Sequence, residues 1–329
     1  MSRRCLIFTA IVPGEEEDPA NSTGAIAASL VAVLTQLGWE AEHRKFDGDL
    51  QKVLDDLRSN PPGFVFNMVE SFLATDRLAF VATGIYEAAR IPFAGSGTFG
   101  LMAGTDKLIA KRLLTEAGIP TPHYAEGPHW NGLKEDRPYI VKAIAEHASL
   151  GLDNDAVVTG RAAVEARAAQ WEGKFGGKTF AEEFITGREF NVAMIETPEG
   201  GRVLPLAEMD FTGFPEGKHR IIDYAAKWRE DSDEYRHTNR RFIDEAAEPA
   251  LADELRRISL KVWQMFDLGG WARVDFRISA DGTPYVIDIN VNPDISDDAG
   301  LAMAALQAGI SYPDLIDGIV KAGQRRAAS

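Results

Sequence analysis

Apolar runs alternate with stretches of helical spacing along the first hundred residues. Cys5-Leu6-Ile7-Phe8 opens a run that predicts a buried strand over 5–11, stopped by Pro13-Gly14. Asn21-Ser22-Thr23 offers capping side chains for a helix over 24–37, closed by Gly38. Phe64-Val65-Phe66-Asn67 follows Pro61-Pro62-Gly63 as a second short strand, and helical spacing resumes over 78–89. Pro92-Phe93-Ala94-Gly95-Ser96-Gly97 then marks a boundary rich in turn residues. Strands alternating with helices indicate a parallel α/β unit.

The pattern continues with a helix over 106–117, capped by Thr105, striped by Leu108, Leu113 and Leu114, and followed by Gly118. Tyr139-Ile140-Val141-Lys142 and 179–184 read as strands around an alanine-rich helix near 161–171, and 189–195 reads as another strand. The stretch 212–239 is charged and weakly periodic; a loop of that length in a compact domain suggests a functional lid, with disorder as the alternative. A helix over 251–266, two strands and a pair of helices complete the chain.

Composition narrows the class. The chain has 329 residues, enough for two domains or three small ones, and is 45% hydrophobic and 26% charged, so it can bury a core. Its formal charge of −15 argues against nucleic acid or an anionic membrane as a partner. The one cysteine, Cys5, lies in the first apolar run, where a buried strand residue is expected rather than a nucleophile. That run is too short to span a bilayer, and the acidic residues after Pro13-Gly14 are not a signal-peptide flank. A soluble, cytoplasmic protein is the expectation.

The chemistry concentrates in Ala272-Arg273-Val274-Asp275-Phe276-Arg277-Ile278 and the strand Pro284 to Asn290, separated by Asp281-Gly282. If those two residues make a two-residue hairpin turn, Asp275 lies opposite Asp288 and Arg273 opposite Asn290. All four then share a sheet face, with Ala272, Val274, Phe276 and Ile278 on the other. Opposed carboxylates repel unless neutralised by Arg273 or by a cation. Asp, Asp and Asn form an all-oxygen set suited to magnesium beside substrate phosphates, and a solvated ion-pair patch is the other reading. Phosphates require cationic partners. Lys142 ends an apolar strand before the small-residue loop 145–151, and Lys107 stands in a helix's first turn, where a bound anion would relieve its clash with the dipole. Lys227 lies in the lid candidate. Taken singly, each lysine also reads as a solvated surface residue. The six histidines show no metal-ligand spacing.

Together with Ile140-Val141-Lys142 and the Arg273–Asn290 hairpin, the segment Glu182-Glu183-Phe184-Ile185-Thr186-Gly187-Arg188-Glu189-Phe190-Asn191 resembles the ATP-grasp ligases, and the D-alanine–D-alanine ligase group in particular. Phe66-Asn67, 91–97, Asp106-Lys107, 118–122 and Asp223-Tyr224-Ala225-Ala226-Lys227 are similar to that group as well, so the resemblance runs from about residue 64 to the end of the sequence. It implies an N-terminal α/β domain over 1–104 and a two-part α/β (α+β) ATP-grasp fold over 105–188 and 189–329, with ATP between the parts. The implied activity is an ATP-dependent carboxylate–amine ligase working through an acyl phosphate. By position, Lys107 and Lys142 look like phosphate ligands, Glu182, Glu183, Phe184 and Ile185 like the adenine hinge, and Glu189 like the ribose ligand. Lys227 looks like the lid lysine at the γ-phosphate. Asp275, Asp288 and Asn290 look like ligands for magnesium, or manganese, although Asp288 stands where glutamate is more usual. Arg273 looks like the residue that stabilises charge on the acyl phosphate and tetrahedral intermediate. Small-molecule carboxylate and amine substrates and a homodimer are implied too.

The substrate positions depart from the pattern. The small-residue loop has Ala148 where the group has a serine, with Ser149 beside it, and Trp228 replaces an aromatic hydroxyl after the lid lysine. Glu15, Glu16 and Glu17 are the candidates for an N-terminal carboxylate that the resemblance implies at the first substrate. After Asn290 the chain has Val291-Asn292-Pro293-Asp294-Ile295-Ser296-Asp297-Asp298-Ala299, with Ala299 near where a serine would hold the acceptor's carboxylate. Asp294 and Asn292 become candidate substrate residues, and the acids suggest an acceptor amine without a free α-carboxylate and with extra positive charge. Capping of the following helix is the other reading of Asp297 and Asp298. D-alanine–D-alanine ligase is the nearest named activity. A ligase for another dipeptide or amide, an ATP-grasp kinase, and a nucleotide-binding sensor without turnover are the alternatives.

Overall fold

A computed structural model describes residues 2–11, 23–145, 151–223, 225–226, 229 and 231–328. The chain begins with β1 (Arg4–Thr9), α1 (Thr23–Gln36), β2 (Glu40–Lys45), α2 (Leu50–Ser59) and β3 (Phe64–Met68). These strands form a parallel sheet in the order β2-β1-β3. Almost every position of β1 and β3 is buried, as expected of parallel strands covered on both faces. Cys5 is fully buried and burial pushes its thiol pKa up to about 12, so it is a core residue as expected. The edge strand β2, Glu-Ala-Glu-His-Arg-Lys, carries no hydrophobic run and was not anticipated.

Helices α3 (Phe80–Ala89), α4 (Thr98–Thr105) and α5 (Lys107–Glu116) lead into the second part. The expected cap at Thr105 is corrected: Thr105 closes α4, and Asp106 caps α5, its Oδ1 accepting from the backbone of Leu108 and Ile109 at 3.1 Å. Next come β4 (Tyr124–Glu126), β5 (Pro138–Ala143), β6 (Val157–Thr159), α6 (Arg161–Phe175) and β7 (Thr179–Glu183). They make an antiparallel sheet in the order β4-β7-β5-β6. Period-two alternation divides its faces: Tyr139, Val141 and Ala181 pack with Val164 and Ala168 of α6, leaving Ile140, Lys142 and Glu182 for the other side.

The third part holds β8 (Arg188–Thr197), β9 (Gly200–Val203), β10 (Ala207–Asp210), α7 (Asp233–Arg236), β11 (Asn239–Phe242), α8 (Pro249–Met265), β12 (Trp271–Ile278) and β13 (Pro284–Asn290), then α9 (Gly300–Gln307) and α10 (Tyr312–Ala328). Its antiparallel sheet runs β11-β10-β8-β12-β13, with β9 also paired to β8. Leu255, Ile258 and Val262 of α8 cover one face, against Phe190, Val192, Ala272, Val274 and Phe276. Leu315, Ile316 and Ile319 of α10 share a core with Cys5, Ile7 and Phe64, which ties the C-terminal helix to the first sheet. At the crossing from β7 to β8, Gly187 has φ +139° and a Cβ there would lie 2.0 Å from the Ile278 carbonyl oxygen; only glycine fits.

Candidate active site

The second and third sheets face each other across a cleft of about 1000 Å³, open mouth included. From β5 and β7 come Ile140, Lys142, Glu182 and Glu183, with Phe184 and Ile185 at the crossing to β8. Glu189, Arg273, Asp275, Arg277, Asp288 and Asn290 line the opposite wall, and Lys107 closes one end. Lys107 and Lys142, the hinge residues, the ribose glutamate, the arginine and the hairpin oxygens thus converge on a single space. Glu15, Ser149 and Lys227 fall outside the described residues.

The hairpin reaches the expected pairing by a different route. Asp281-Gly282 is not a two-residue turn: the Ser279 N–H donates to the Thr283 carbonyl at 3.0 Å, and Ile278, Arg277 and Phe276 pair with Pro284, Tyr285 and Val286. That register would set Asp275 against Ile287. A bulge between Asp275 and Phe276 slips it by one, so Asp275 pairs with Asp288 and Arg273 with Asn290. Ile287 and Asp288, adjacent in sequence, consequently both line the cleft.

Each charge in this wall has a partner. Arg273 clamps Asp275 bidentately, Nε to Oδ1 at 2.7 Å and Nη2 to Oδ2 at 2.9 Å, and Asn191 donates to the same Oδ1 at 2.9 Å. Burial opposes the Arg273 charge, but Asp275, with Asp288 and Glu189, outweighs it and raises the guanidinium pKa. Lys107 Nζ donates to Asp288 Oδ1 at 2.7 Å. Glu189 is buried and held by Arg277 at 2.5 Å. Asn290 Oδ1 accepts from the Asn292 backbone at 3.1 Å.

Opposite them lies a buried triad. Glu182, 1% exposed, binds Lys142 Nζ at 2.6 Å through one oxygen and Lys111 through the other. Burial alone would raise the Glu182 pKa; the two ammonium groups overcome it and hold the carboxyl below its ordinary value. Burial also opposes the Lys142 charge, but Glu182 and Asp288 outweigh it and raise that lysine's pKa. For Lys111 burial wins, and its pKa falls. Glu183 points away and pairs with Arg137 at 3.2 Å, so its side chain serves the outer surface. Lys111 was missed from sequence, although four residues after Lys107 it shares that helix face. Arg277 and Asn191 were missed as the partners of Glu189 and Asp275.

Among its described residues the lid candidate contains α7, a helical pair at 225–226 and the first residue of β11. Ile221 packs with Ile140 and Phe184, and Asn154 exchanges two hydrogen bonds with the His219 backbone at 2.8 and 3.0 Å. Arg277 donates to the Arg220 carbonyl. The segment before Lys227 therefore lies over the cleft, with Ile221 and Ile222 in its wall.

Asn292 and Asp294 stand outside the wall, in the loop after β13. Asp294 Oδ1 accepts from the Ser296 N–H at 2.9 Å and the Ser296 hydroxyl at 2.6 Å. Trp271 Nε1 holds the Pro293 carbonyl, and the Tyr312 hydroxyl holds that of Ile295, each at 2.9 Å.

Known proteins share this architecture. A family model described as the D-ala D-ala ligase C-terminus matches residues 130–321, more than half the chain. The uncharacterized protein y4sG of Sinorhizobium fredii is 30% identical over 312 residues, covering 92% of this chain and 88% of its own. A D-alanine–D-alanine ligase of Methylococcus capsulatus is 30% identical over 259 residues, 77% of this chain and 76% of that one. The structure of D-alanine–D-alanine ligase from Bacillus anthracis complexed with ATP matches with a TM-score of 0.74 over 99% of this chain and 98% of that one; at 20% identity this is a likeness of fold. With the family match and these relatives, the chain belongs to the D-alanine–D-alanine ligase family and has the α/β ATP-grasp fold.

Proposed function

We propose that the protein is an ATP- and magnesium-dependent ligase that joins a small carboxylate to an amine through an acyl phosphate, releasing ADP and phosphate. One observation carries this: Lys107, Lys142 and Arg273 converge with Asp275, Asp288 and Asn290 in a cleft between two sheets. In this reading Glu182, Phe184 and Ile185 receive the adenine, with the Glu183 backbone; Glu189 receives the ribose, and Lys107 and Lys142 the phosphates.

The donor set suits a hard divalent cation. Among the described residues no three His, Cys, Asp or Glu side chains gather into a closed metal site. Two opposed carboxylates and an amide oxygen instead suit an ion that keeps waters and shares phosphate oxygens. Asp275, Asp288 and Asn290 would hold magnesium, or manganese, which neutralises the phosphate charge that otherwise repels an incoming carboxylate.

The substrate carboxylate attacks the γ-phosphorus in line, and the bond to the bridging oxygen of ADP breaks. Lys107 and Lys142 offset the charge spreading over the transferred oxygens. The amine, once deprotonated, attacks the acyl carbon; its C–O bond to phosphorus breaks and phosphate leaves. Arg273 stabilises the oxyanion of that step. The segment over the cleft, with Ile221 and Ile222 in its wall, excludes the water that would hydrolyse the acyl phosphate.

D-alanine–D-alanine ligase is the nearest named activity. Ala299 and the acid-rich loop after β13 favour a second reading, a ligase for a different dipeptide or amide. Phosphate release from Mg-ATP with D-alanine as the other substrate, with the product mass determined together, decides between them. D-alanyl-D-alanine formed at a substantial rate supports the first reading. No dipeptide from protein shown to bind ATP supports the second.

A further inference from the structure

Acids near the acceptor side suggest from sequence a cationic, carboxylate-blocked amine, yet the folded chain places an arginine there. Arg240 lies on the edge strand β11, paired with Met209, which pairs with Glu189, which pairs with Arg277. That row fixes its face: Arg241, the next residue, turns to Glu208 on the opposite side of the sheet, while Arg240 stands on the cleft side.

Three observations single it out. First, the Arg240 guanidinium lies against Gly300, where an added Cβ would sit 2.9 Å from Nη2 and 3.1 Å from Cζ; the absent side chain makes the notch it occupies. Second, desolvation and then the charge of Arg273 lower its pKa, so the two guanidinium groups are close enough to repel each other. Third, the Arg240 side chain is exposed, and among the described residues it makes no hydrogen bond and no ion pair within 4 Å. Asp294 and Asp298 are near enough to act on it but do not bind it, and Asp294 Oδ1 is taken by Ser296. Arg273 spends its Nε and Nη2 on Asp275. An exposed arginine seated against Gly300, with open donors and within the influence of Arg273, can take an anion from outside the chain.

We propose that Arg240 receives the carboxylate of the second substrate, so that the acceptor is an amino acid or peptide with a free carboxylate. This rests on the ligase reading above and revises the acceptor that the acidic loop suggests. Arg240 takes over, from the far edge of the sheet, the task that Ala299 cannot perform. Asp294 shapes the loop through Ser296, and with Asp298 it limits the positive field, which keeps this end of the cleft from competing for ATP phosphates.

The test is a matrix of donors and acceptors drawn from the proteinogenic amino acids, glycine and D-alanine. Each acceptor is supplied as the free acid and as the amide, and Mg-ATP-dependent phosphate release and product mass are read together. The account expects the acids to be used and the matching amides to be poor acceptors. Arg240→Met should raise KM for the acid acceptor about tenfold or more, the loss expected for a charged hydrogen bond, with KM for ATP and donor unchanged. Arg240→Lys should recover part of it. A merely structural arginine would move all three constants, or the Tm, together. Equal use of amides, or an acceptor KM untouched by Arg240→Met, overturns the proposal while leaving the ligase reading intact. Absence of phosphate release with every acid and amide is failure of the ligase reading itself, and the assignment of Arg240 falls with it.

Discussion

The two ends of the cleft are made from different kinds of chain. The proposed nucleotide side is built on paired strands: Lys142 on β5, Glu182 on β7, Glu189 on β8, Arg273 and Asp275 on β12, Asp288 on β13. There, buried charges are matched within the protein, Glu182 between two lysines and Glu189 on Arg277. The proposed acceptor side is built on the loop from 291 to 299, whose Asp294 folds back on Ser296, and on an edge strand whose Arg240 side chain has no hydrogen bond or ion pair among the described residues. Strand ladders fix a side chain's face through hydrogen bonds common to the fold, whereas loops and edges leave room for the chain to change what it accepts. A nucleotide site can be preserved while the acceptor site is rebuilt.

The strongest way to break this contrast is at Glu182. Glu182→Gln leaves Lys111 and Lys142 buried without a carboxylate, and a loss of about 3–5 kcal/mol is expected in urea unfolding. A variant as stable as the parent would mean the triad is not the internal match that the geometry shows. Next is Arg273→Met, which should lower turnover by about 10²–10³ and leave ATP affinity little changed, read by phosphate release against nucleotide titration. Equal losses in both would make Arg273 a binding residue.

The pH dependence sharpens the same side. The folded Glu182 pKa lies below the unfolded value of about 4.3, so this carboxyl contributes stability above that pH and loses it as pH falls through the folded pKa. Unfolding curves between pH 6 and 3, on the order of one point per half unit, should show a weaker acid dependence in Glu182→Gln than in the parent. Identical acid limbs would place the shift elsewhere. The smallest effect is expected at Asp294→Ala. It removes two hydrogen bonds to Ser296, worth about 1 kcal/mol together in an exposed loop, and should leave acceptor preference unchanged. A changed preference would return Asp294 to the substrate site.

What could be read from sequence follows the same division. Apolar alternation makes β5 and β12 visible, and with them the faces of Lys142, Arg273 and Asp275. The pairing of Asp275 with Asp288 was reached through a two-residue turn that does not exist; the longer loop and the bulge offset each other by one residue each. Neither leaves a mark in composition. Strand β2 escaped notice because a polar edge strand has no apolar period, and Asp106 because two potential capping residues stand side by side before α5. Lys111 is a buried lysine that a sequence presents as one more helical cation; only the fold brings Glu182 to it. Arg240 was hidden for a related reason. It sits in Asn239-Arg240-Arg241-Phe242, where the first arginine faces the cleft and the second pairs with Glu208, a distinction made by the register of β11 on β10.

The most direct test of the central claim follows oxygen. The donor found in the matrix is supplied with its carboxylate labelled with ¹⁸O, and the phosphate released from Mg-ATP is examined by mass. Transfer through an acyl phosphate predicts one labelled oxygen in each phosphate, because the carboxylate oxygen stays with phosphorus when the amine attacks the acyl carbon. Phosphate without label, formed alongside the ligated product, would contradict it.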